Sequence, residues 1–440
     1  MKKSLLLFMV ILTVSSGLLY SLEITLDSAA ALALGNNRSL QAKYLNLKTL
    51  DRNRKSGWNE FFPDLYAGTN LTRKNQTFDT SPLPEFQGKW HYSFTVGAIM
   101  DLSAMSVYNI GASRLAWEQG QIGINEYEHS LVKNARKSFL ELLLLRDTIK
   151  IYEKMIATAE DNYNKTNKRY ELGDVRKVDM LSAKVYWQNM IPQLINIKNN
   201  FEIRKLEFKR LLGLPEDEDI SLSGEFVFDV QEWNADELIN NYLNKRFDVQ
   251  YARKTIERLK NEKARRISET MTPSLSVGYT YMPTMYNVFD SNSTDFQDYM
   301  GRLNIGIILP LDGFIPNSRK NLKVKEMNES IEAANFTLKD TLQAGVIDIQ
   351  SAVENLNKAA ATIAPLELNV SLAEENYKLI SMSYDVGEAD YIQLQNADDD
   401  LNTAKLQLLK EKFSYISALE DLNYAIASRI EVKPVKYNEK

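Results

Sequence analysis

The 440-residue sequence predicts a mainly α fold with a small membrane-type β part, in which long antiparallel coiled-coil helices form the walls and the plan occurs twice along the chain. Three observations predict it. The stretch YELGDVRKVDML at 170–181 returns as YDVGEADYIQLQ at 384–395, 214 positions later. Each copy sits among apolar residues spaced at alternating steps of three and four. Each half also carries two stretches in which apolar and polar residues alternate.

At the N-terminus, Lys2 and Lys3 precede an apolar run, Leu5–Val14, and then Ser15, Ser16, Gly17 and Ser21. This is the pattern of a secretory signal peptide over residues 1–21, with cleavage expected near Ser21. The apolar run is well short of the roughly 20 residues a spanning helix needs. No cysteine occurs, so the exported chain has neither disulfides nor a lipid on an N-terminal cysteine, and packing and assembly must stabilise it.

The helices come next. Leu142, Leu145, Ile149, Tyr152, Ile156, Ala159 and Tyr163 form a seam with a mean spacing of 3.5 residues, and a shift of 214 lands on Leu356, Ala359, Ile363, Leu366, Val370, Ala373 and Tyr377. A helix from about Ala104 to Glu171 spans roughly 100 Å. Its counterpart runs from about Ser318 to Asp385, and Pro365 is expected to bend it without breaking it. Beyond each glycine the pattern resumes, with Leu194, Phe201 and Phe208 echoed by Leu408, Tyr415 and Leu422. Gly173 and Gly387 therefore mark tips where one helix ends in a left-handed cap and the chain reverses.

The strands have period two. Leu65, Ala67, Thr69 and Leu71 form the first set, and Trp90, Tyr92, Phe94, Val96, Ala98, Met100 and Leu102 the second. The second half supplies Leu275, Val277, Tyr279 and Tyr281, then Leu303, Ile305, Ile307, Leu309 and Leu311. Pro63 and Pro273 introduce the pairs, and two polar segments, Arg73–Lys89 and Met282–Met300, join the strands as exposed loops. Trp90, Tyr92, Phe94, Tyr279 and Tyr281 lie on the aliphatic faces near the loop ends, as in the aromatic girdle of a membrane barrel. In hydrocarbon every backbone donor and acceptor must be paired within protein, and four strands are too few to close a barrel. The sequence thus requires several copies of itself around one cylinder.

These residues carry a resemblance to the TolC family of outer-membrane efflux and secretion channels, along essentially the whole mature chain. ITLDSAAALALGNNRSLQA from Ile24 resembles that family's first helix, and NADELINNYLNKRFDVQYA from Asn234 resembles it again. GLP at 213–215 is similar to the family's turn at the end of the return helix, and LPLDG at 309–313 to its strand-to-helix exit. The Tyr-x-x-Gly tips recur at Tyr170/Gly173 and Tyr384/Gly387. The resemblance implies an outer-membrane homotrimer in which three chains give a shared 12-stranded β-barrel above a periplasmic α-barrel. It further implies a passive exit duct for a tripartite efflux pump or a type I secretion system, with a periplasmic adaptor, an inner-membrane pump and outer-membrane lipid as partners. It divides the chain into a first structural repeat, 22–225, with strand pair 63–102, tip at 173 and return helix to 212. A second repeat, 226–430, has strand pair 273–311 and tip at 387, and a tail follows at 431–440.

The family's tips close the periplasmic mouth, and the resemblance places Tyr384 at its gate tyrosine and Asp179 at an acidic position six residues after the first glycine. The second hairpin departs from the pattern at Ala389, Gln393 and Asn396, where the family has Arg and two ring Asp residues, so a carboxylate double ring is not expected there. Asp174, Asp179, Glu388 and Asp390 make the mouth acidic, with Arg176 and Lys177 available to pair across the seam. Acidic residues directly after each glycine, Asp174 and Glu388, imply an adaptor with a basic tip.

Other classes find less support. A periplasmic coiled-coil scaffold or adaptor without a pore explains the heptads but not the duplicated aromatic strands. No nucleophile elbow, phosphate loop or metal-ligand spacing occurs, and His91 and His129 share no carboxylate cluster, so neither an enzyme nor a cofactor is expected. The formal charge of -5 becomes more negative by two without Lys2 and Lys3, which disfavours nucleic acid.

Overall fold

The computed structural model describes residues 22–73, 90–226, 231–286, 288, 289, 296 and 298–428. The signal peptide, the tail at 431–440, the first strand-joining loop beyond Arg73 and parts of the second lie outside these residues. The helices are α1 (Leu26–Asn36), α2 (Arg38–Lys55), α3 (Ala104–Glu171), α4 (Lys177–Leu212), α5 (Ala235–Tyr242), α6 (Phe247–Met271), α7 (Arg319–Asp385) and α8 (Tyr391–Ala425). The strands are β1 (Leu22–Ile24), β2 (Asp64–Arg73), β3 (Trp90–Ser103), β4 (Ile220–Leu222), β5 (Ser274–Tyr286) and β6 (Asp298–Ile308). α3 has the extent read from the heptads, and α7 continues unbroken through Pro365. The chain forms two compact units, one of residues 1–41, 127–242 and 347–440, the other of residues 42–126 and 243–346.

The first unit holds the hairpin tips and a small parallel pair, β1 with β4. Thr25 starts α1 by exchanging hydrogen bonds with Ser28, a reciprocal N-cap. Where α1 ends, Asn37 Nδ2 donates to the Leu211 carbonyl at 3.0 Å, while the Leu40 N–H donates to Asn37 Oδ1 at 3.0 Å. Gly213 caps α4 at φ 70°, and a Cβ there would lie 2.3 Å from the Asn36 carbonyl oxygen. The Asn-Asn and GLP motifs are thus two sides of one close backbone approach that only glycine permits.

Apolar packing holds this unit together. Phe139, Leu142, Phe208 and Leu212 join Ile24 and Ile220 in one core, and Leu356, Ala359, Ile363, Tyr415 and Leu422 share a second. Burial of each large side chain here stabilises by about 1.5–3 kcal/mol. Toward the tip of α7 the seam residues Leu366, Val370, Ala373 and Tyr377 are half-buried between exposed neighbours, as a heptad requires. In α3 the most buried tip-side positions are Met155, Ala159, Asn162 and Thr166, so the contact line there is broader than the predicted seam.

A charged triad crosses the same interior. Arg136 on α3, 4% exposed, reaches Glu420 on α8 at 3.2 Å and Asp27 in the first turn of α1 at 2.7 Å. Glu420 is buried as well, so the guanidinium must stay to offset the desolvated carboxylate.

The second unit contains an antiparallel sheet of order β2-β3-β5-β6. Its registers put Leu71, Tyr92 and Met285 in one row and Ala67, Val96, Tyr281 and Gly301 in another. Leu65, Ala98, Tyr279 and Leu303 form a third, so the apolar residues of all four strands share a face. That face is largely exposed, with Leu65, Tyr279, Leu303, Ile305 and Ile307 among its open residues. On the polar face Tyr66 crosses Gly97 to bond Thr280 at 2.9 Å, and a Cβ on Gly97 would meet the Tyr66 ring at 2.4 Å.

The strand ends differ from the sequence reading in two places. β5 runs on to Tyr286 and β6 starts at Asp298, because Met282, Pro283 and Thr284 pair with Met300, Tyr299 and Asp298 inside the segment read as a loop. Pro283 has no N–H, and the β3–β5 ladder has no bridge between Ser93–Thr284 and Val96–Tyr281. β6 stops at Ile308, before Leu309 and Leu311. Its partner β5 begins only at Ser274, and Gly313 then packs against the Thr270 carbonyl, where a Cβ would lie 2.6 Å away.

Replacing Arg136 with Ala is expected to lower stability by about 3–5 kcal/mol. The unfolding midpoint of the purified chain should fall accordingly, and Glu420→Leu in the same background should recover part of the loss by removing the stranded charge.

Candidate functional site

The tips are made by the backbone first. After α3, the Gly173 N–H donates to the Tyr170 carbonyl at 3.0 Å and the Asp174 N–H to the Arg169 carbonyl at 2.8 Å. After α7, the Gly387 N–H donates to the Tyr384 carbonyl at 3.1 Å and the Glu388 N–H to the Ser383 carbonyl at 2.9 Å. Gly173 has φ 84° and Gly387 φ 86°. Both ends are Schellman motifs, and the Tyr-x-x-Gly spacing is the spacing of the inner bond. An L side chain at either glycine would cost about 1–2 kcal/mol.

The next helix is then started by a residue three beyond its cap. The Asp179 carboxylate accepts the Arg176 backbone N–H at 3.3 Å and two guanidinium N–H groups at 3.1 and 2.9 Å. Those guanidinium bonds hold the Asp179 carboxyl below the usual carboxylate range. In the second hairpin the caps are reciprocal: Asp390 accepts the Gln393 N–H at 2.8 Å, and Gln393 Oε1 accepts the Asp390 N–H at 3.0 Å. Gln393 at the departed position thus serves α8 as a cap. Arg176 pairs along its own chain, within the first turn of α4, and not across the seam. Asp174 and Glu388 stand exposed beside the two glycines, and Lys177 opens α4.

Tyr384 is where the two hairpins of one chain meet. Its side chain is buried at 2% exposure among Ala183, Tyr391 and Leu394. The Thr166 hydroxyl gives its hydrogen to the Asn162 carbonyl at 2.7 Å, which leaves a lone pair to accept the Tyr384 hydroxyl at 2.7 Å. Arg169 donates from Nη1 to the Tyr384 carbonyl at 2.7 Å, and its guanidinium carbon lies 4.9 Å from the centre of the Tyr384 ring. α3 therefore grips the end of α7 through a hydroxyl, a carbonyl and a ring face at once. Sequence reasoning missed Thr166, Arg169, Tyr391 and Ala183. Thr166 lies three residues beyond Tyr163, so continuing the heptad past its last apolar member would have found it.

The predicted girdle residues take their places on the apolar face of the sheet. Trp90 stands opposite Arg73, and Tyr92 opposite Leu71 and Met285. Phe94 and Tyr279 are exposed. Because β5 continues past Tyr281, Tyr279 and Tyr281 lie toward mid-strand, while Trp90, Tyr92 and Phe94 keep the loop end. Among the described residues no group of three or more His, Cys, Asp or Glu side chains is placed to hold a metal ion, and no helix is long and apolar enough to cross a membrane.

Long helical hairpins closed by paired caps are thus combined in one chain with a four-stranded sheet to which each half gives a strand pair. The model of a family described as outer membrane efflux protein matches residues 29–214. The chain is 20% identical over 304 residues to the outer membrane protein TolC of Salmonella enteritidis, covering 68% of this chain and 62% of that protein. It spans the same 62% of the Escherichia coli K12 TolC that it matches. The Campylobacter jejuni CmeC outer membrane channel superposes with a TM-score of 0.78 at 14% identity, over 91% of this chain and 85% of that one. The open-state MtrE outer membrane channel of Neisseria gonorrhoeae superposes with 0.75 at 15% identity, over 94% of each. The chain thus matches the TolC family of outer-membrane channels, in sequence over residues 29–214 and in fold along nearly its whole length. These matches agree with the location expected from the sequence, the outer membrane with a long periplasmic helical extension.

The Thr166–Tyr384 bond is testable in a double-mutant cycle of Thr166→Val and Tyr384→Phe. Amide exchange at the tip should report a coupling of about 0.5–1.5 kcal/mol, with each single variant opening the tip locally.

Proposed function

We propose that the chain is a trimeric outer-membrane channel, the passive exit duct of a tripartite efflux pump or a type I secretion system, gated at its periplasmic helix tips. The observation that carries this reading is the sheet. Its apolar face is exposed, and β2 and β6 are each hydrogen-bonded within it on one side only. Hydrocarbon tolerates such edges only if further strands close them. Copies of the same chain supply those strands in this reading, and the family resemblance supports three of them, giving twelve.

The helices support the same assembly. α4 leaves Val178, Leu181 and Val185 exposed at steps of three and four, while α7 leaves Leu368, Leu372, Leu379 and Met382 exposed at steps of four, seven and three. Stripes of this kind on the two hairpins suit a neighbouring copy on either side. A periplasmic scaffold would leave the apolar face of the sheet without a role. The duct carries no chemistry of its own and draws its energy from the inner-membrane pump.

Gating in this reading is a contest between two packings of the tip a few kcal/mol apart. Tyr384 holds the resting arrangement through Thr166 and Arg169, and Asp179 with Arg176 stiffens the start of α4. In planar bilayers the mature chain should form channels whose conductance rises when Asp179→Ala and Tyr384→Phe are combined; an unchanged conductance removes the pair from the gate. The exposed Asp174 and Glu388 face an adaptor with a basic tip. Asp174→Leu with Glu388→Leu should weaken capture of the cognate adaptor several-fold, and undiminished capture would place the contact elsewhere.

A further inference from the structure

Asp398 and Asp399 stand one and a half turns or more inside α8, beyond the caps that form the tip. Asp398 is 4% exposed, although nothing in the gate reading needs a buried acid there. From α4, the Tyr186 hydroxyl lies 2.5 Å from Asp399 Oδ1 and 3.3 Å from Asp398 Oδ2. A phenol has one hydrogen to donate and lone pairs to accept with. Two ionised carboxylates facing it ask for two hydrogens, and the lesser share goes to Asp398, at the longer distance and the deeper burial, with the Asn402 side chain as its other hydrogen-bonding neighbour. A single added proton resolves this: Asp398 donates to the Tyr186 oxygen, which donates onward to Asp399.

We propose that Tyr186, Asp398 and Asp399 form a proton-dependent clasp that ties α4 to α8, and so the return helices of the two hairpins to each other, when Asp398 is protonated. What the clasp controls rests on the gate reading above; the clasp itself rests on these three side chains.

The surroundings agree. α7 brings Tyr377 toward Asp398, and its Glu374 takes the Lys405 ammonium of α8 at 2.7 Å. α3 adds Asp161 and Lys165, paired with each other at 2.9 Å, and Lys154 near Glu374. α8 itself adds Tyr391, Asn402 and Asp399. Lys405, the cation that acts on Asp398, thus has a carboxylate partner of its own in Glu374, and among the described residues no ion pair is made to Asp398. Burial pushes its carboxyl up to about 6, with the neighbouring Asp399 charge adding to the effect, and burial likewise pushes the Tyr186 phenol up. A carboxyl exposed by separation of the helices returns toward 3.8. The proton's support for the packed seam is therefore fully present below the exposed value and is lost as pH rises through about 6. The seam tightens in acid and loosens toward neutrality, by roughly 100-fold per chain over the whole span between the exposed value of 3.8 and the packed value of about 6.

The test compares the full mature chain with Asp398→Asn, which mimics the protonated acid, and with Tyr186→Phe. Amide exchange over residues 183–190 and 394–402 is followed from pH 5 to pH 7.5, with exposed-loop amides correcting for the intrinsic rate. The unmodified chain should be at least tenfold more protected in these segments at pH 5, with a midpoint near 6. Asp398→Asn should be protected equally at both ends of the range, and Tyr186→Phe should lose the acid protection. Parallel pH profiles in the unmodified chain and Asp398→Asn would overturn the clasp, whether or not the chain conducts. Bilayer recordings at the same pH values then address the channel separately: with the clasp confirmed, acid should lower open probability in the unmodified chain but not in Asp398→Asn. A chain that forms no channels at any pH would refute the duct and leave the exchange result standing.

Discussion

The rest of the structure depends on the pairing of backbone hydrogen-bonding groups in the sheet. Inside the sheet, β3 and β5 are satisfied on both sides, whereas β2 and β6 are bonded on one. The side chains make the same demand, since the apolar rows shared by the four strands face outward. β3 also passes into α3 without an intervening residue, Ser103 ending one and Ala104 starting the other. An interior strand of the sheet is therefore continuous with the helix that carries the first tip.

At the tip, local and tertiary forces divide the work. The reversals are local: a left-handed glycine, two backbone bonds per helix end and a side-chain cap three residues into the next helix recur almost unchanged in both hairpins. What distinguishes the hairpins is how each docks on the other. Tyr384 is buried in the chain's own interior and held from α3, while its counterpart Tyr170 is half-buried. The two loops are alike in backbone, and packing makes them unequal.

Polar groups buried between the helices show the same economy in two settings. Arg136 lies between Glu420 and Asp27, so its charge is matched on both sides. Asp398 meets a phenol and a second acid instead, and its burial favours the protonated form. A matched ion pair of the first kind holds one arrangement over a wide pH range, and an unmatched acid of the second kind makes its arrangement conditional.

Much of this was legible in the residue order, for reasons that are local. A helix of 68 residues announces itself through a repeating seam, a tip through Tyr-x-x-Gly, and a strand through period two, because each depends on neighbours a few positions away. The limits of β5 and β6 were not legible. Pro283 and the polar residues near it read as loop, yet pairing with the strand alongside carried them into the sheet. Nor did the sequence reveal that Arg176 would turn to Asp179 in its own helix, or that Thr166, Arg169 and Tyr186 would reach partners more than 200 positions away. By itself the sequence determined the long helices, the strands and the places where the chain turns, since those follow from dihedral preference and periodicity. Only the tertiary structure decided which polar groups share a hydrogen, because that choice depends on distances between helices that no local pattern encodes.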